Sequence, residues 1–400
     1  MIINKAVCSL IMFLTVFSSF LSAQNIAQNK DGLYKNEMRS LQAAIQKNFY
    51  DKASGYYRVV VDSSKREKKN GYLREYTYIW SLCAMYQAAN EMEKLDPNAG
   101  LMAPLLKIMN DYYDPAPPRP GYSDYIIKLK PGERYYDDNQ WIGITALDAF
   151  ARTKQQPDLK LGKLIYDFMM TGYDGVLGGG IYWKEGSLDS KNTCSNGPGV
   201  LVALQLYQAT KNKAYLDTAL KIFNWTNEKL RTPSLLYYDN IRTKDSSISK
   251  PVFSYNTGTM LQSNIYLYEC TGDKKYLQDA TAIADSSLLF FYGRDKFRDS
   301  YWFNAVLLRA YQHLLKYNKD TKYVMGFKKC LDAALQNDKN ELGLFKGRQG
   351  VQNLVEHGGM LEILARFAWM ENRYKLTGPG SPVTMIPQSN IPVAAVKPVP

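Results

Sequence analysis

Two stretches of this chain repeat one another: Leu206-Tyr207-Gln208-Ala209-Thr210-Lys211-Asn212-Lys213-Ala214-Tyr215-Leu216 and Leu267-Tyr268-Glu269-Cys270-Thr271-Gly272-Asp273-Lys274-Lys275-Tyr276-Leu277. In each, an apolar helix runs into a short polar turn, a second amphipathic helix begins near Tyr-Leu, and the match continues to Ala219 and Ala280. Such a repeat is one unit, here an αα-hairpin, that cannot bury its apolar face alone and must stack on copies of itself. Weaker copies read as Tyr78–Met92 turning into Leu101–Tyr113, Trp141–Thr153 into Leu159–Met170, and Trp302–Tyr317 into Tyr323–Ala334. With Asn36–Asn48 and a last helix near Gly359–Trp369 this makes twelve helices in six pairs. Strand-like runs are few, with Gly55–Val61 and Gly178–Trp183 the best short hairpin candidates. The expected fold is all-α, a single-domain (α/α)6 toroid. Closing the ring buries every hairpin against neighbours, whereas an open solenoid needs a polar cap at each end.

The chain ends read differently. Lys5 precedes an apolar run from Ala6 to Leu21, and Ser22-Ala23 supplies small residues ahead of Gln24, the pattern of a secretory signal cleaved after Ala23. Export to a periplasm, cell surface or medium follows, with no membrane span after cleavage. Residues 376–400 are proline-rich without helical periodicity, and a flexible or extended tail is expected there. Losing residues 1–23 removes Lys5 alone among charged residues, lowering the formal net charge of +12 by one. The lysines are scattered and form no arginine-rich stripe, so no nucleic-acid partner is expected. The positive excess nevertheless makes phosphorylated polysaccharide worth including among substrates. Cys83, Cys194, Cys270 and Cys330 remain in the mature chain without a CxxC pair or zinc pattern. Cys83, Cys270 and Cys330 fall on apolar helical faces and read as buried thiols.

Each expected inner helix is preceded by an unusual segment: Arg74–Tyr78, Tyr136–Asn139, Ser195–Gly199, Tyr255–Gly258, Asp299–Trp302 and Glu356–Gly359. In a closed double ring all six share one rim and build a single pocket of rings and polar groups at helix N-termini. Taken singly, each is an ordinary cap. Within them, Asp137-Asp138 stands out. Two like charges held together push their proton affinities apart, the division of labour glycoside hydrolysis needs. Retention requires carboxyl groups about 5–5.5 Å apart, and a helix start aims neighbours at one sugar better than a strand does. Against this, one acid could cap the helix and the other be a solvated charge.

The 31 Tyr and 6 Trp supply rigid faces for sugars, although most must be core. Candidate substrate contacts beside the acid pair are Tyr76, Asn139, Trp141, Trp183, Asn192, Asn196, Tyr255, Asn256 and Trp302. Trp183 follows the Gly178-Gly179-Gly180 turn; Trp141, one turn into its helix, reads equally as core. The asparagines fit capping or turn roles as well as sugar hydroxyls. The triple glycine lacks a GK[ST] ending and is a tight turn, not a phosphate cradle. Only His313 and His357 are present, with no HExxH pair, so a His-based zinc site or a two-histidine isomerase mechanism is not expected, and the lack of a GxSxG elbow argues against an esterase. His313 reads as structural and His357 as a rim residue with a capping role.

Together, Tyr136-Asp137-Asp138-Asn139-Gln140-Trp141, the Gly178–Trp183 turn, Lys191-Asn192 with Ser195-Asn196-Gly197-Pro198, and Tyr255-Asn256-Thr257-Gly258 resemble glycoside hydrolase family 76, the bacterial endo-α-1,6-mannanases. The resemblance runs from about Tyr76 to Trp369. It implies an (α/α)6 catalytic domain over residues 24–375, a retaining mechanism, Asp137 as nucleophile and Asp138 as general acid/base, no metal or organic cofactor, and α-mannan or manno-oligosaccharides as partner of a monomeric enzyme. The family also covers fungal cell-wall proteins regarded as mannan transglycosidases. The alternatives are such a transglycosidase or a non-catalytic mannan-binding protein on the same scaffold. An epimerase- or lyase-like activity is disfavoured by the scarcity of histidine.

Overall fold

The repeat pattern becomes a closed ring of helices. The computed structural model describes residues 32–374 apart from 67, 70, 71, 131, 348, 349 and 372, so the expected signal (1–23) and proline-rich tail (376–400) lie outside the described residues. Twelve α-helices occur among the described residues: α1 (Leu33–Asn48), α2 (Ile79–Glu93), α3 (Met102–Met109), α4 (Tyr136–Thr153), α5 (Gln156–Met169), α6 (Thr193–Thr210), α7 (Lys213–Leu230), α8 (Ser254–Thr271), α9 (Lys274–Tyr292), α10 (Tyr301–Asn318), α11 (Lys322–Asn337) and α12 (Leu354–Glu371).

Two patterns of hydrophobicity sort them into two rings. In α2 every residue except Trp80 is buried, and in α8 burial is continuous from Ser254 to Ile265, as expected of helices surrounded on all sides. The odd-numbered helices bury a single stripe; α7 buries Ala219, Ile222, Phe223, Trp225, Thr226 and Leu230. The even-numbered helices pack in sequence, α2 on α4 through α10 on α12, and α12 packs back on α2. Helix α1 lies against α12, so the first described helix completes the last pair. The fold is an (α/α)6 barrel. None of its helices is long and apolar enough to cross a membrane, among the described residues.

The hairpin turns repeat as closely as the helices. Thr153, Thr210 and Thr271 each donate to the carbonyl four residues back and accept from the backbone N–H two residues on. The next residue is left-handed: Lys154 (φ 61°), Lys211 (φ 60°), Gly272 (φ 75°), with Lys319 (φ 55°) equivalent after α10. Glycine takes this conformation freely, whereas lysine is strained in it.

Strands decorate the loops that lead into the even-numbered helices. Short antiparallel pairs are β1 (Tyr50–Asp51) with β2 (Tyr56–Tyr57), β3 (Lys68–Lys69) with β4 (Tyr72–Leu73), and β5 (Tyr113–Asp114) with β6 (Gly121–Tyr122). A four-stranded antiparallel sheet joins β7 (Tyr182–Lys184), β8 (Ser187–Asn192), β9 (Tyr238–Arg242) and β10 (Ile248–Val252) in the order β10-β9-β8-β7. The sequence pattern anticipates only its start, at Gly178–Trp183. Strands β9 and β10 lack apolar alternation, and β10 carries Pro251 on an edge, where a missing N–H is tolerated.

Candidate active site

The acid pair sits in the first turn of α4, after Tyr135 turns the backbone from extended to helical (φ −98°, ψ 138°). A helix N-terminus favours negative charge there. Asp137 keeps some solvent exposure as a residue, but its Oδ1 is closed off from solvent and has no hydrogen-bond partner of ordinary geometry among the described residues. Burial pushes its pKa up to about 6, opposed by weaker hydrogen bonds from the Cys194 thiol, backbone N–H groups and Trp183. The Cys83 thiol of α2 donates to the Asp138 carbonyl at 3.4 Å, fixing the backbone under the pair.

Above the pair opens a cleft of about 600 Å³, lined by Tyr78, Trp80, Asp124, Tyr135, Asp137, Asp138, Trp183, Ser190, Asn192, Cys194, Asp239, Asn240, Tyr255, Trp302 and Phe303. Seven are aromatic and four are aspartates, and no Lys or Arg is among them. Trp183 is 42% exposed and leans on Tyr135 with ring centroids 4.9 Å apart. Across the cleft, Tyr255 stacks on Phe303 at 4.0 Å, and Trp302 meets Trp80 edge-on at 5.6 Å. Asp124 is bound to Arg74 Nη1 at 3.0 Å, and the guanidinium lies over the Tyr78 and Tyr125 rings at 4.6 and 4.7 Å. Asn240 donates to Asp239 Oδ2 at 2.8 Å, and burial pushes the Asp239 pKa up. Flat apolar faces interleaved with carboxylates and amides suit a neutral polyhydroxylated chain. The positive net charge is not focused here, and a phosphate in this cleft would meet four carboxylates.

Four of the six rim segments converge. Tyr78 before α2, the α4 pair, Tyr255 on α8 and Trp302 on α10 share the cleft; Cys194, just ahead of the Ser195–Gly199 segment, joins them, while Ser195–Gly199 itself and Glu356 and His357 on α12 do not. Glu356 instead accepts from the Tyr301 N–H at 2.7 Å. Of the nine sequence-derived contact residues, Trp183, Asn192, Tyr255 and Trp302 line the cleft, and Tyr76, Asn139, Trp141, Asn196 and Asn256 do not. Trp141 is a core residue, 1% exposed, edge-on to Trp302 at 5.4 Å. Tyr76 packs on Tyr56 at 5.1 Å. Asn256 is fully buried, both atoms of its amide unpartnered among the described residues. Sequence reasoning missed Tyr78, Trp80, Asp124, Tyr135, Ser190, Cys194, Asp239, Asn240 and Phe303. Tyr78 is the last residue of a segment it had singled out, without being named as a contact, and Phe303 flanks another, but Asp239 and Asn240 arrive on β9, which had no signal.

Asn139 and Asn196 have a shared task behind the cleft. Asn139 donates to Tyr135 O and Tyr122 O at 2.8 and 2.9 Å and accepts from Tyr122 N at 2.7 Å. Asn196 does the same with Asn192 O, Ile181 O and Ile181 N at 2.8, 2.9 and 2.7 Å. Asn304 bonds Ser300 O and Asp299 O, and His357 bonds Asn353 O and accepts from Phe345 N. Each clamps the rim loop to its own helix start. Burial lowers the His357 pKa to about 4, so it stays neutral at physiological pH. The glycine turn is held likewise: Lys191, fully buried, donates to Asp174 Oδ1, Gly179 O and Val176 O at 2.5, 2.7 and 2.9 Å. A Cβ on Gly180 (φ +84°) would lie 2.7 Å from the Trp225 ring, so only glycine fits. This turn delivers Trp183 to the cleft.

A larger cavity, about 940 Å³, lies between α1, α2, α3 and the β1–β2 hairpin. Its lone carboxylate, Asp111, bonds Tyr56 and Lys128 at 2.5 and 3.3 Å, so it offers no acid pair. Among the described residues, no group of three or more His, Cys, Asp or Glu side chains is placed to hold a metal ion.

Residues 34–326 match the model of glycosyl hydrolase family 76, and the chain belongs to that family. A mannan endo-1,6-alpha-mannosidase of Candida glabrata is 27% identical over 185 residues, 42% of this chain and 42% of that protein. The chain thus matches about two fifths of that relative's length. Among solved structures, the family 76 alpha-mannanase of Bacteroides thetaiotaomicron superposes with a TM-score of 0.78 at 23% identity, covering 85% of this chain and 96% of that one. An inactive variant of the Salegentibacter alpha-1,6-mannanase, with two aspartates changed to asparagine and α-1,6-mannotriose bound, superposes with a TM-score of 0.68 at 22% identity, covering 84% and 99%. At these identities the superpositions establish a common fold.

Proposed function

We propose that this chain is an exported, retaining, endo-acting glycoside hydrolase that cleaves α-1,6-mannosidic bonds in the backbone of yeast-type mannan. The observation that carries the reading is the Asp137-Asp138 pair at the base of an aromatic-walled, cation-free cleft in a family 76 chain. The names of the relatives supply the linkage, and the signal-like start supports export. Asp137, ionised above pH of about 6, attacks the anomeric carbon while Asp138 gives its proton to the departing O6 of the next mannose. The C–O bond of the linkage breaks as a mannosyl ester to Asp137 forms. Asp138, now a carboxylate, takes a proton from water, whose oxygen displaces Asp137 and restores both acids. Trp183, Tyr255 and Trp302 hold neighbouring sugars by their faces, and Asn192, Asp239 and Asn240 receive hydroxyls.

Debranched α-1,6-mannan incubated with purified residues 24–400 should yield a ladder of shorter oligosaccharides. Asp137→Asn and Asp138→Asn should each lose at least about 1,000-fold in kcat while still binding manno-oligosaccharide. Retained turnover in either variant would remove that residue from the reaction. Binding without turnover in the parent would instead indicate a mannan-binding protein or a transglycosidase lacking its acceptor.

A further inference from the structure

The hairpin that carries Trp183 is tied to the residues just ahead of the acid pair by backbone, charge and ring contacts at once. Tyr135 and Lys184 form an antiparallel bridge, and the Glu185 N–H donates to the Arg134 carbonyl at 3.0 Å. The buried Arg134 guanidinium grips Glu185 through Nε and Nη2 at 2.6 and 2.7 Å. Glu133 closes the circuit. Its Oε1 accepts from Lys184 Nζ at 2.6 Å, and its Oε2 accepts from the Tyr135 hydroxyl at 2.7 Å. One carboxylate thus holds both the residue that follows Trp183 and the ring on which Trp183 leans. Glu133 is itself fixed from behind: its N–H donates to Asp124 Oδ1 at 3.0 Å, and its carbonyl accepts from the Asp124 N–H at 2.7 Å.

We propose that Glu133 is a positioning residue for the sugar platform: by holding the Tyr135 hydroxyl and Lys184 on one carboxylate, it latches Trp183 against Tyr135 before substrate arrives. This rests on the reading of Trp183 as a surface for mannose. The two ring planes are 56° apart, so they form a corner rather than a flat stack, and a ring free to swing would lose that corner. Ordering one such side chain on binding costs about three- to tenfold in affinity, a cost that a latched ring has already met. Folding stability does not account for the contact. The Lys184 and Glu133 side chains stay 27% and 36% exposed, and ion pairs open to solvent add little to stability. Glu133 is not among the residues lining the cleft, so it acts through the rings and not on the sugar.

The test compares the parent with Glu133→Ala, Glu133→Gln and Tyr135→Phe in two readouts. One is kcat and KM on α-1,6-mannotetraose. The other is ¹⁹F NMR of free protein labelled with 5-fluorotryptophan, the Trp183 line being assigned by its loss in Trp183→Phe. Glu133→Ala should shift or broaden that line and raise KM about tenfold with kcat within about threefold, as when binding shared by ground and transition states is lost. Glutamine can still accept from Lys184 and can donate to the Tyr135 hydroxyl oxygen, so Glu133→Gln should restore the line and bring KM back to within about threefold of the parent. Tyr135→Phe removes the hydroxyl and keeps the ring. It should move both readouts the same way by less, and it keeps the test intact if Glu133→Ala does not fold. A parental Trp183 line in both Glu133→Ala and Tyr135→Phe would overturn the proposal, as would a parental KM beside a lowered Tm, the mark of a merely structural contact. Because the ¹⁹F line needs neither sugar nor turnover, a moved line in Glu133→Ala beside a parent that neither binds nor cleaves mannotetraose would overturn the mannanase reading while upholding the latch.

Discussion

Asp137 is held where a carboxylate is expensive. Its folded pKa of about 6 lies above the ordinary value of 3.8, and burial is the cause. The folded state therefore binds this proton more tightly than the unfolded chain does. The resulting cost to stability is absent below about pH 4, grows as pH rises, and is fully present above about pH 6. Asp137→Asn should accordingly stabilise the protein at pH 7 by about 1–3 kcal/mol, a gain that shrinks towards zero near pH 4. Thermal denaturation of parent and variant at both pH values checks this; an equal Tm difference at each would show that Asp137 is not electrostatically strained. If Asp137 is the nucleophile proposed above, the same property should appear in kcat/KM as an acidic limb near pH 6, because a carboxylate attacks only when ionised. At this scale the sequence was partly legible. The acid pair showed because two adjacent carboxylates among aromatics at a helix start form a local pattern. Asn139 and Asn196 showed for a different reason: as loop clamps they recur at the fourth position of their helices, and a recurring polar residue at a helix start resembles a ligand-binding one.

Among the elements, the hairpin turns carry a repeat whose copies are not equally comfortable. The left-handed position is glycine at Gly272 and lysine at Lys154, Lys211 and Lys319. Lys211→Gly should relieve the strain and raise stability by about 0.5–1 kcal/mol, measured by chemical denaturation, with activity unchanged because the turn lies at the far end of α6 from the cleft. A loss of stability would mean that the Lys211 side chain, which lies over the Tyr207 ring at 5.7 Å, contributes more than its backbone costs. The helices were legible because burial of an apolar stripe imposes a period of 3.6 on the sequence. The sheet was not. Strands β9 and β10 form from polar, proline-containing sequence because β8 offers an edge, a tertiary circumstance that local propensity does not encode. Asp239 and Asn240 therefore escaped detection although they line the cleft.

For the molecule as a whole, ring closure gathers helix starts that are singly ordinary caps around one site. The inner helices bring their N-terminal ends to one rim, where α2, α4, α6, α8 and α10 each place residues at or beside their first turn in the cleft; towards their other ends buried charges meet. Arg309 bonds Asp148 at 2.6 Å, and Arg366 bonds Glu91 and Glu362 at 3.1 and 2.6 Å. Breaking such a pair strands a buried charge, so this network specifies how α2, α4, α10 and α12 align more than it adds stability. The cleft lies at the opposite end of these helices, and the proposed chemistry rests on two neighbouring side chains of α4. Adjacent carboxylates on one helix turn favour direct attack over activation of a water on the far face of the sugar, which needs about 6.5–9.5 Å between the acids. The most direct test is therefore stereochemical: ¹H NMR of the anomeric protons during the first minutes of α-1,6-mannotetraose cleavage, before mutarotation. The account predicts that the new reducing end appears first as the α-anomer and decays to the equilibrium mixture. Initial release of the β-anomer would contradict it, because it would require inversion and a water between the two aspartates.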